Sequence, residues 1–176
     1  MKKTYIFVVF VIFITSLIFA EDSINIVPFP RQCKIEGKIN LDSEKQETII
    51  VIENSGKAKI GANEINSKIK SLGKEPLLIK LESEIGKDDL KKYNTILIGS
   101  IERSKLIKEY CAKNKINISS NDPGEQGYVI NFIAEADKTR IIIAGSDEQG
   151  ALYGCITLRQ MLILESEKLF VIKANI

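Results

Sequence analysis

The stretch of sequence that decides the fold covers residues 127–162 and reads GYVINFIAEADKTRIIIAGSDEQGALYGCITLRQML. Two apolar runs flank a short polar turn and are followed by Gly145, an acidic segment and a helical pattern that contains Gly150 and Gly154. Short apolar runs rich in β-branched residues predict buried strands, and apolar residues three to four apart predict a helix. The stretch therefore predicts a β-β-α unit. Its helix crosses a sheet closely at the two glycines, because glycine lets the backbone approach.

Apolar runs and helical patterns also alternate along the rest of the chain. Strands are predicted at residues 24–27, 48–52, 77–81, 95–99, 128–134, 140–144 and 168–172, and helices at residues 58–72, near 88–90, from 100 or 102 to about 115, and from 147 to about 164. Gly37 predicts a hairpin-like turn within residues 33–41, and residues 121–124 predict another turn. The alternation indicates an α/β (α+β) fold, a mixed β-sheet covered by helices in a two-layer arrangement.

Helical spacing also indicates which residues face the sheet. Ile60, Ile65, Ile69 and Leu72 are expected to form the apolar face of the first long helix. In the last helix, Leu152, Cys155, Ile156 and Leu162 are expected to face the sheet. In the last helix, a large side chain in place of Gly154 is expected to overpack the contact with the sheet.

The N-terminus has the composition of a secretory signal peptide. Two lysines precede an apolar run over residues 5–19, and the small residue Ala20 stands before an acidic pair. Residues 1–20 are therefore expected to be removed, which leaves residues 21–176 as a single domain that is secreted, periplasmic or in the cell envelope. An uncleaved membrane anchor is the alternative, because the bulky Ile18 stands two residues before Ala20.

Composition excludes several classes of function. The chain has 25 basic and 23 acidic residues, and these balance once Lys2 and Lys3 are removed with the signal segment. Nucleic-acid binding is not expected, because such proteins carry an excess of basic residues on one face. The chain contains no histidine, which excludes Ser-His-Asp and Cys-His nucleophile systems and removes the commonest transition-metal ligand. The single domain is also too short for a catalytic barrel, which takes about 250 residues.

The three cysteines give no sign of a metal site. Cys33, Cys111 and Cys155 lack close spacing of the CxxC type and form an odd set. Cys111 and Cys155 fall in apolar helix stripes, where a free thiol behaves as a small hydrophobe. A disulfide bridge that involves Cys33 is the alternative.

Two acidic positions could be mistaken for catalytic groups. Ser146 and Asp147 stand at a predicted helix start, where the side chain of one or the other caps free backbone N–H groups. Asp88 and Asp89 resemble the paired acids of glycoside hydrolases only superficially, because those acids stand several ångströms apart across a sugar. Adjacent acids at a helix start are better explained as a cap and a solvated neighbour.

Glycine-containing loops at residues 124–127 and 145–150 lack the register of phosphate-binding loops, and turns explain them better. The sequence therefore identifies no catalytic residue, no cofactor-binding residue and no metal-binding residue, and no cofactor is expected.

Two sets of residues carry a family pattern. The closing set comprises Gly127, Tyr128, Ile143, Ala144, Gly145, Ser146, Asp147, Gly150, Tyr153, Gly154, Thr157, Leu158, Gln160, Met161 and Leu162, and the opening set comprises Ile26, Val27, Pro28, Phe29, Pro30, Gly37, Ile39, Asn40 and Leu41. Together they resemble the non-catalytic N-terminal domain of β-N-acetylhexosaminidases, that is, glycoside hydrolase family 20 and related hexosaminidase- and hyaluronidase-like enzymes. Gln126 departs from the pattern, because it separates an acid from the glycine that follows it in the family.

The resemblance implies a domain that carries no catalytic residue of its own. In that family a (β/α)8 catalytic barrel follows and supplies a pair of acids, whereas residues 173–176 stand here in place of the segment that leads into the barrel. The expectation is a secreted accessory domain of glycan metabolism that is not an enzyme by itself, either truncated before the barrel or standing alone. A carbohydrate- or protein-binding module is the alternative, and an independent hydrolase with an unrecognised site is a third hypothesis.

The resemblance also suggests partners. A domain that normally abuts a barrel keeps apolar residues on that side, and the strand within residues 169–172 is expected to lack its usual cover. The expected partner is a glycoside hydrolase barrel encoded separately, or a second copy of the chain. A monomer whose last strand is fully paired within its own sheet is the alternative. Membrane association is expected only if residues 1–20 are retained.

Overall fold

The computed structural model describes residues 26–42 and 47–176. The expected signal segment and residues 24 and 25 of the expected first strand lie outside this part of the chain. The elements follow in the order β1 (Lys34–Asn40), β2 (Thr48–Ile52), α1 (Gly56–Ser71), β3 (Leu78–Leu81), α2 (Lys87–Lys92), β4 (Asn94–Ser100), α3 (Lys105–Asn114), β5 (Tyr128–Glu135), β6 (Lys138–Gly145), α4 (Glu148–Gln160), β7 (Leu162–Glu165) and β8 (Lys168–Asn175).

Five strands form the central sheet, in the order β3-β2-β4-β6-β5. β2, β3, β4 and β6 run parallel, and β5 is antiparallel to β6. β2 and β4 are buried along their whole length. Strands that are covered on both faces contain continuous apolar runs rather than alternating patterns, as residues 49–52 of β2 and 96–98 of β4 do. The mixed sheet with its covering helices confirms the predicted fold class.

Helices lie on both faces of the central sheet. On one face, Ile65 of α1 and Leu158 of α4 belong to the same buried cluster as Ile96 of β4. On the other face, Ile107 of α3 belongs to a second cluster with Leu97 of β4. The helices that follow β2 and β4 therefore cover opposite faces, and this arrangement leaves a crevice at the carboxyl ends of the two strands.

α4 crosses the sheet at its glycines, as the sequence predicts. A Cβ atom on Gly154 would stand 2.5 Å from Cγ2 of Ile143, and one on Gly150 would stand 2.0 Å from the carbonyl oxygen of Gly127. Both distances are far shorter than a normal contact between heavy atoms. These two positions therefore accept only glycine without a shift of the surroundings.

The residues that α1 and α4 bury differ in part from the expected ones. Cys155 was expected to face the sheet and is fully buried, but its Sγ atom lies 2.6 Å from the position of a Cβ on Gly61 and so packs toward α1. Leu152 and Ile156 are only half-buried. Leu152 packs toward α1, since its Cδ1 atom lies 3.6 Å from the position of a Cβ on Gly61. Ile60 was expected on the apolar face of α1 and is instead 53% exposed.

A second, antiparallel sheet has the order β1-β8-β7. β8 is its middle strand and pairs with β1 on one side and β7 on the other, and Leu169 and Val171 are buried. The backbone of Ile176 also exchanges two hydrogen bonds with Ile130 of β5, which ties the two sheets together. The expectation that the strand within residues 169–172 lacks its cover is therefore wrong.

The predicted hairpin-like turn at Gly37 is also wrong. β1 runs without interruption through this glycine, which has φ +121° and lies at a register shift against β8. Such a bulge places an extra residue in one strand, and glycine adopts the required backbone conformation without strain. The glycine therefore bends a strand rather than ending it.

The last helix ends earlier than predicted. α4 stops at Gln160, and residues 162–165 form β7 rather than a continuation of the helix to residue 164. Ser166 and Glu167, both with positive φ, make the tight turn to β8. Leu162 of β7 lies four residues after Leu158 of α4, which is the spacing of apolar residues in a helix. This spacing explains why the sequence pattern extends the helix too far.

Two further boundaries differ from expectation. Ile26 and Val27 do not form a strand, and Val27 instead exchanges backbone hydrogen bonds with the side-chain amide of Gln160. α3 begins at Lys105 rather than near residue 100, because the Ser104 hydroxyl caps it by accepting from the Ile107 N–H. Among the helices of residues 26–42 and 47–176, none has the length and apolar character needed to cross a membrane.

Candidate functional site

Polar side chains gather where the parallel strands end. Glu53 follows β2, Ser100 ends β4, and Ser146 follows β6. Parallel strands bring their carboxyl ends to one edge of the sheet. In open α/β sheets, ligands bind outside this edge, where the connections of neighbouring strands diverge to opposite faces. Since α1 and α3 lie on opposite faces, the edge between β2 and β4 is such a point.

Glu53 is the most unusual group at this edge. It is only 3% exposed, and its Oε2 atom accepts hydrogen bonds of 3.1 Å from both the N–H and the hydroxyl of Ser100. Its Oε1 atom is buried and has no hydrogen-bond partner within the described residues. Burial raises the pKa of this carboxyl, and the nearby negative charge of Glu148 acts in the same direction. The bonds from Ser100 and the charge of Arg103 oppose the rise.

Above Glu53, Arg103 and Glu148 form an ion pair. Arg103 Nη1 lies 2.6 Å from Glu148 Oε1, and Arg103 Nη2 donates to the carbonyl oxygen of Asn54 at 3.4 Å. The pair connects the segment before α3 to the first turn of α4. Arg103 thus spans the crevice between the ends of β2 and β6.

Asp147 joins the start of α4 to the loop before β5. Its Oδ1 atom accepts from the Gly150 N–H at 2.7 Å, and its Oδ2 atom accepts from the Gln126 N–H at 2.9 Å. The predicted capping role of Asp147 is confirmed. Partial burial raises the pKa of this carboxyl, but the backbone hydrogen bonds outweigh that effect, so the pKa is lowered overall. The Asp147 carboxylate therefore has a structural role, because each of its two oxygens accepts a hydrogen bond from a backbone N–H group.

Ser146 holds the same loop from its other side. Its hydroxyl donates to the carbonyl oxygen of Gly124 at 2.6 Å, and its N–H donates to the carbonyl oxygen of Gly127 at 2.9 Å. Of the two residues expected as the cap, Asp147 therefore caps the helix and Ser146 anchors the loop. The two glycine-containing loops are turns that are bonded to each other, as the sequence analysis favours.

A shallow depression of about 590 Å³ lies over these residues. The depression is open to solvent rather than enclosed, and polar side chains form most of its lining. Tyr153 stands at its edge with 39% of its surface exposed. The residues that shape it include Lys57, Arg103, Gln126, Glu148, Gln149 and Tyr153.

A second depression, of about 660 Å³, lies beside β3. Its central polar group is the Asn66 amide, which donates to the carbonyl oxygen of Leu77 and accepts from the Leu77 N–H, both at 2.9 Å. Both polar ends of this amide are therefore used inside the protein.

The remaining candidate residues, Asp88 and Asp89, lie at the start of α2. Asp89 accepts from the Gly86 N–H at the start of α2, and Asp88 is a solvated neighbour that pairs with Lys91. The interpretation of Asp88 and Asp89 as a cap and its neighbour is confirmed. Within the described residues, no group of three or more His, Cys, Asp or Glu side chains could hold a metal ion.

The cysteines are free thiols. Cys111 and Cys155 are buried, and Cys33 is partly exposed. The predicted free state is therefore confirmed for Cys111 and Cys155, and the alternative of a bridge at Cys33 is not seen. Burial raises the pKa of Cys111 to about 11 and raises that of Cys155 further. A reactive thiol has a lowered pKa, so neither residue has the character of a nucleophile.

Residues 34–158 match the family model described as "Glycosyl hydrolase family 67 N-terminus". The chain belongs to this family. No curated protein is significantly similar to the chain in sequence.

Solved structures share the fold of this glycoside hydrolase N-terminal domain. The structure of CpGH84D superposes with a TM-score of 0.58 at 18% identity over 86% of the chain, and that of CpGH84B with 0.52 at 20% identity over 87%. The inactive D437A mutant of a family 20 exo-β-N-acetylglucosaminidase from Vibrio harveyi gives 0.50 at 12% identity over 85%. The resemblance to a hexosaminidase N-terminal domain is thus confirmed in the fold.

The chain matches only a small part of each of these proteins. It spans 24% of CpGH84D, 22% of CpGH84B and 18% of the Vibrio harveyi enzyme. The described fold therefore corresponds to one domain of much longer glycoside hydrolase chains.

Sequence reasoning missed Glu53 and Arg103. A signal for Glu53 was available, since a lone acid directly after a buried parallel strand stands at the edge where ligands bind. Arg103 gave no local signal, because its partner Glu148 is distant in sequence and depends on the strand order.

Proposed function

We propose that the chain is an exported, non-catalytic accessory domain that packs beside a glycoside hydrolase catalytic domain. The observation that carries the proposal is the place of this fold in longer enzymes, of which it spans 18–24%. The family description, which names the N-terminus of a glycosyl hydrolase family, supports the same role.

The state of the carboxylates in the depression also supports a non-catalytic role. Glycoside hydrolysis needs two acids, about 5–10 Å apart, that both reach the scissile bond. Asp147 is held by two backbone N–H groups, Glu148 is paired with Arg103, and Glu53 is almost completely buried. Glu53 has the raised pKa of a general acid, but its burial keeps it away from a glycosidic oxygen.

An activity assay tests the non-catalytic role. The purified chain is incubated with 4-nitrophenyl N-acetyl-β-D-glucosaminide, a substrate suited to the activity named for the Vibrio harveyi relative. We expect no release of nitrophenol above the blank. Turnover that survives purification and is abolished in both Glu53→Gln and Glu148→Gln variants would contradict the proposal. Turnover that is unchanged in both variants would identify a contaminating enzyme.

A sedimentation experiment tests the partner. The chain is measured alone over a wide concentration range and again with a separately produced glycoside hydrolase barrel. We expect a one-to-one complex with the barrel, and self-association of the chain is the alternative. A single monomeric species under both conditions would contradict the proposal of a docking domain.

Export is part of the same proposal and has its own test. The chain is expressed with residues 1–20 in a bacterial host, and the protein outside the cytoplasm is subjected to N-terminal sequencing. We expect the mature protein to begin near Glu21. Retention of Met1 in a membrane fraction would instead support an anchor.

A further inference from the structure

The depression at the carboxyl edge of the parallel strands combines an exposed aromatic ring with polar groups that the fold does not use. We propose that it binds an uncharged oligosaccharide through Tyr153, Arg103, Gln126 and Gln149. This binding site goes beyond the accessory role and does not depend on it. Four observations support the inference: the exposed ring of Tyr153, the unbonded side-chain amides of Gln126 and Gln149, the absence of a positive net charge in the lining, and the buried carboxyl of Glu53.

Tyr153 offers a platform for a sugar ring. It lies in the second turn of α4, and 39% of its surface is exposed. Within the described residues its hydroxyl makes no hydrogen bond. Tyrosine presents an apolar ring face with a polar tip, so it can cover the C–H face of a sugar while its hydroxyl remains available.

The side-chain amides of Gln126 and Gln149 are free to bind hydroxyl groups. Neither amide makes a hydrogen bond in residues 26–42 and 47–176, whereas the Asn66 amide of the second depression is fully engaged. An amide offers two N–H donors and one acceptor oxygen. Sugar hydroxyls both donate and accept, so two amides that flank an aromatic ring match this chemistry.

Arg103 adds donors at a fixed position. Its ion pair with Glu148 uses Nη1, and its weak contact with Asn54 uses Nη2. A guanidinium carries five N–H donors, so several of them remain available to a ligand. The pair fixes the direction of the guanidinium before any ligand binds.

The charge around the depression favours an uncharged ligand over an anion. The lining contains two basic residues, Lys57 and Arg103, and three acidic ones, Glu102, Asp147 and Glu148, so its formal charge is −1. A site for phosphate or sulfate would need a surplus of donors and positive charge.

Glu53 supplies the last observation. It is 3% exposed, lies close enough to Arg103 and Glu148 to interact with their charges, and keeps an unpartnered Oε1 atom. Buried polar atoms are rarely left without a partner. The Oε1 atom is thus an unsatisfied acceptor beneath the Arg103–Glu148 pair, where burial keeps it out of direct contact with a ligand.

Nuclear magnetic resonance tests the site with defined probes. The ¹⁵N-labelled chain is titrated to 10 mM, in separate experiments, with maltotriose, cellotriose, xylotriose and chitotriose. We expect at least one of these oligosaccharides to shift the backbone amides of Gln126, Gln149 and Tyr153 in a saturable manner. Inorganic phosphate serves as the anionic probe and is expected to give no such shifts.

Variants then assign the binding to the aromatic ring. Tyr153→Ala is expected to weaken binding at least tenfold, and Tyr153→Phe is expected to retain it within about threefold. Phe29→Ala is the matched control, because Phe29 is 69% exposed and lies near the opposite end of α4. The proton spectrum of each variant reports its fold.

Three results would overturn the proposal. These are the absence of saturable shifts with all four oligosaccharides, shifts that map outside the depression, and equal affinity of folded Tyr153→Ala and wild type. A response to phosphate alone would show an anion site instead. Because these results do not involve a catalytic domain, they are independent of the tests for the accessory role.

Discussion

Gly154 lies directly against Ile143, and a Cβ atom on the glycine would stand 2.5 Å from the Cγ2 atom of the isoleucine. Ile143 belongs to the buried β6 and is β-branched, so its side chain has little freedom to move aside. The contact therefore fixes how closely α4 approaches the central sheet.

Replacement of Gly154 should overpack this contact. We expect Gly154→Ala to lower the free energy of unfolding by about 1–3 kcal/mol, and Gly154→Leu to lower it further. Chemical denaturation measures both. Gly56→Ala is the control, because a Cβ at Gly56 would meet no atom within 4 Å. Equal midpoints for the Gly154 and Gly56 variants would contradict the observed packing of α4.

Loss of the Asp147 carboxyl should release both α4 and the loop before β5. We expect Asp147→Ala to cost about 0.5–2 kcal/mol as a lost cap at neutral pH. The folded-state pKa of Asp147 is lowered, so its contribution is present above the unfolded value of about 3.9 and is lost as pH falls through the folded pKa. Urea denaturation at several pH values should show the difference from wild type shrinking in acid.

Asp88→Ala is the matched control for Asp147→Ala. The Asp88 side chain is 96% exposed and stands next to the Asp89 that bonds to the start of α2. Its removal should change the free energy of unfolding by less than about 0.5 kcal/mol. An equal loss in the two variants would argue against a specific role of Asp147.

The contribution of Glu53 to the free energy of unfolding should depend on pH in the opposite direction to that of Asp147. Burial raises its folded-state pKa, so its stabilising contribution is fully present below the unfolded value of about 4.3 and is lost as pH rises through the folded pKa. Glu53→Gln keeps an acceptor for Ser100 and carries no charge. We expect the variant to gain stability relative to wild type as pH rises from about 4 to 8.

Glu75→Gln is the control, since Glu75 is an exposed acid in the loop before β3. The pH dependence of the Glu53→Gln difference is read relative to this control. A pH-independent difference for Glu53→Gln would show that the carboxyl is not protonated preferentially in the folded protein.

The cysteines should differ sharply in reactivity. We expect Ellman's reagent at about pH 8 to label only Cys33 in the folded protein, because Cys111 and Cys155 are buried thiols with raised pKa values. All three should react after denaturation without a reductant. Cys33→Ser should abolish the fast phase. Fewer than three thiols in the denatured, unreduced protein would show a disulfide bridge and contradict the free state.

The central sheet could be predicted because its sequence signals are local. β2 and β4 contain unbroken apolar runs at residues 49–52 and 96–98, and the hairpin of β5 and β6 has a polar turn, so the sequence predicts both the strands and their positions. The strand pairing of the small sheet could not be predicted in the same way. Gly37 has the same sequence signature in a bulge as in a turn, and only the distant pairing with β8 decides between them.

The candidate site was predicted only in part, for the same reason. The cap at Asp147 follows from one helix start, which a local pattern reveals. The pairing of Glu53 with Ser100 and of Arg103 with Glu148 depends on which strands are neighbours. Strand order is a property of the whole fold, so no local pattern could have assembled these groups.

The position of β8 between β1 and β7 sets an order of assembly during synthesis. All strands of the central sheet lie within residues 48–145, so they can pair before β8 has been made, whereas β1 is made first and finds its partner last. Pairing of such distant segments is slow, since the entropy cost of closing a long loop is incurred before any stabilising contact forms. The three-stranded sheet should therefore be completed after the central sheet, because β1 pairs only with the last strand of the sequence.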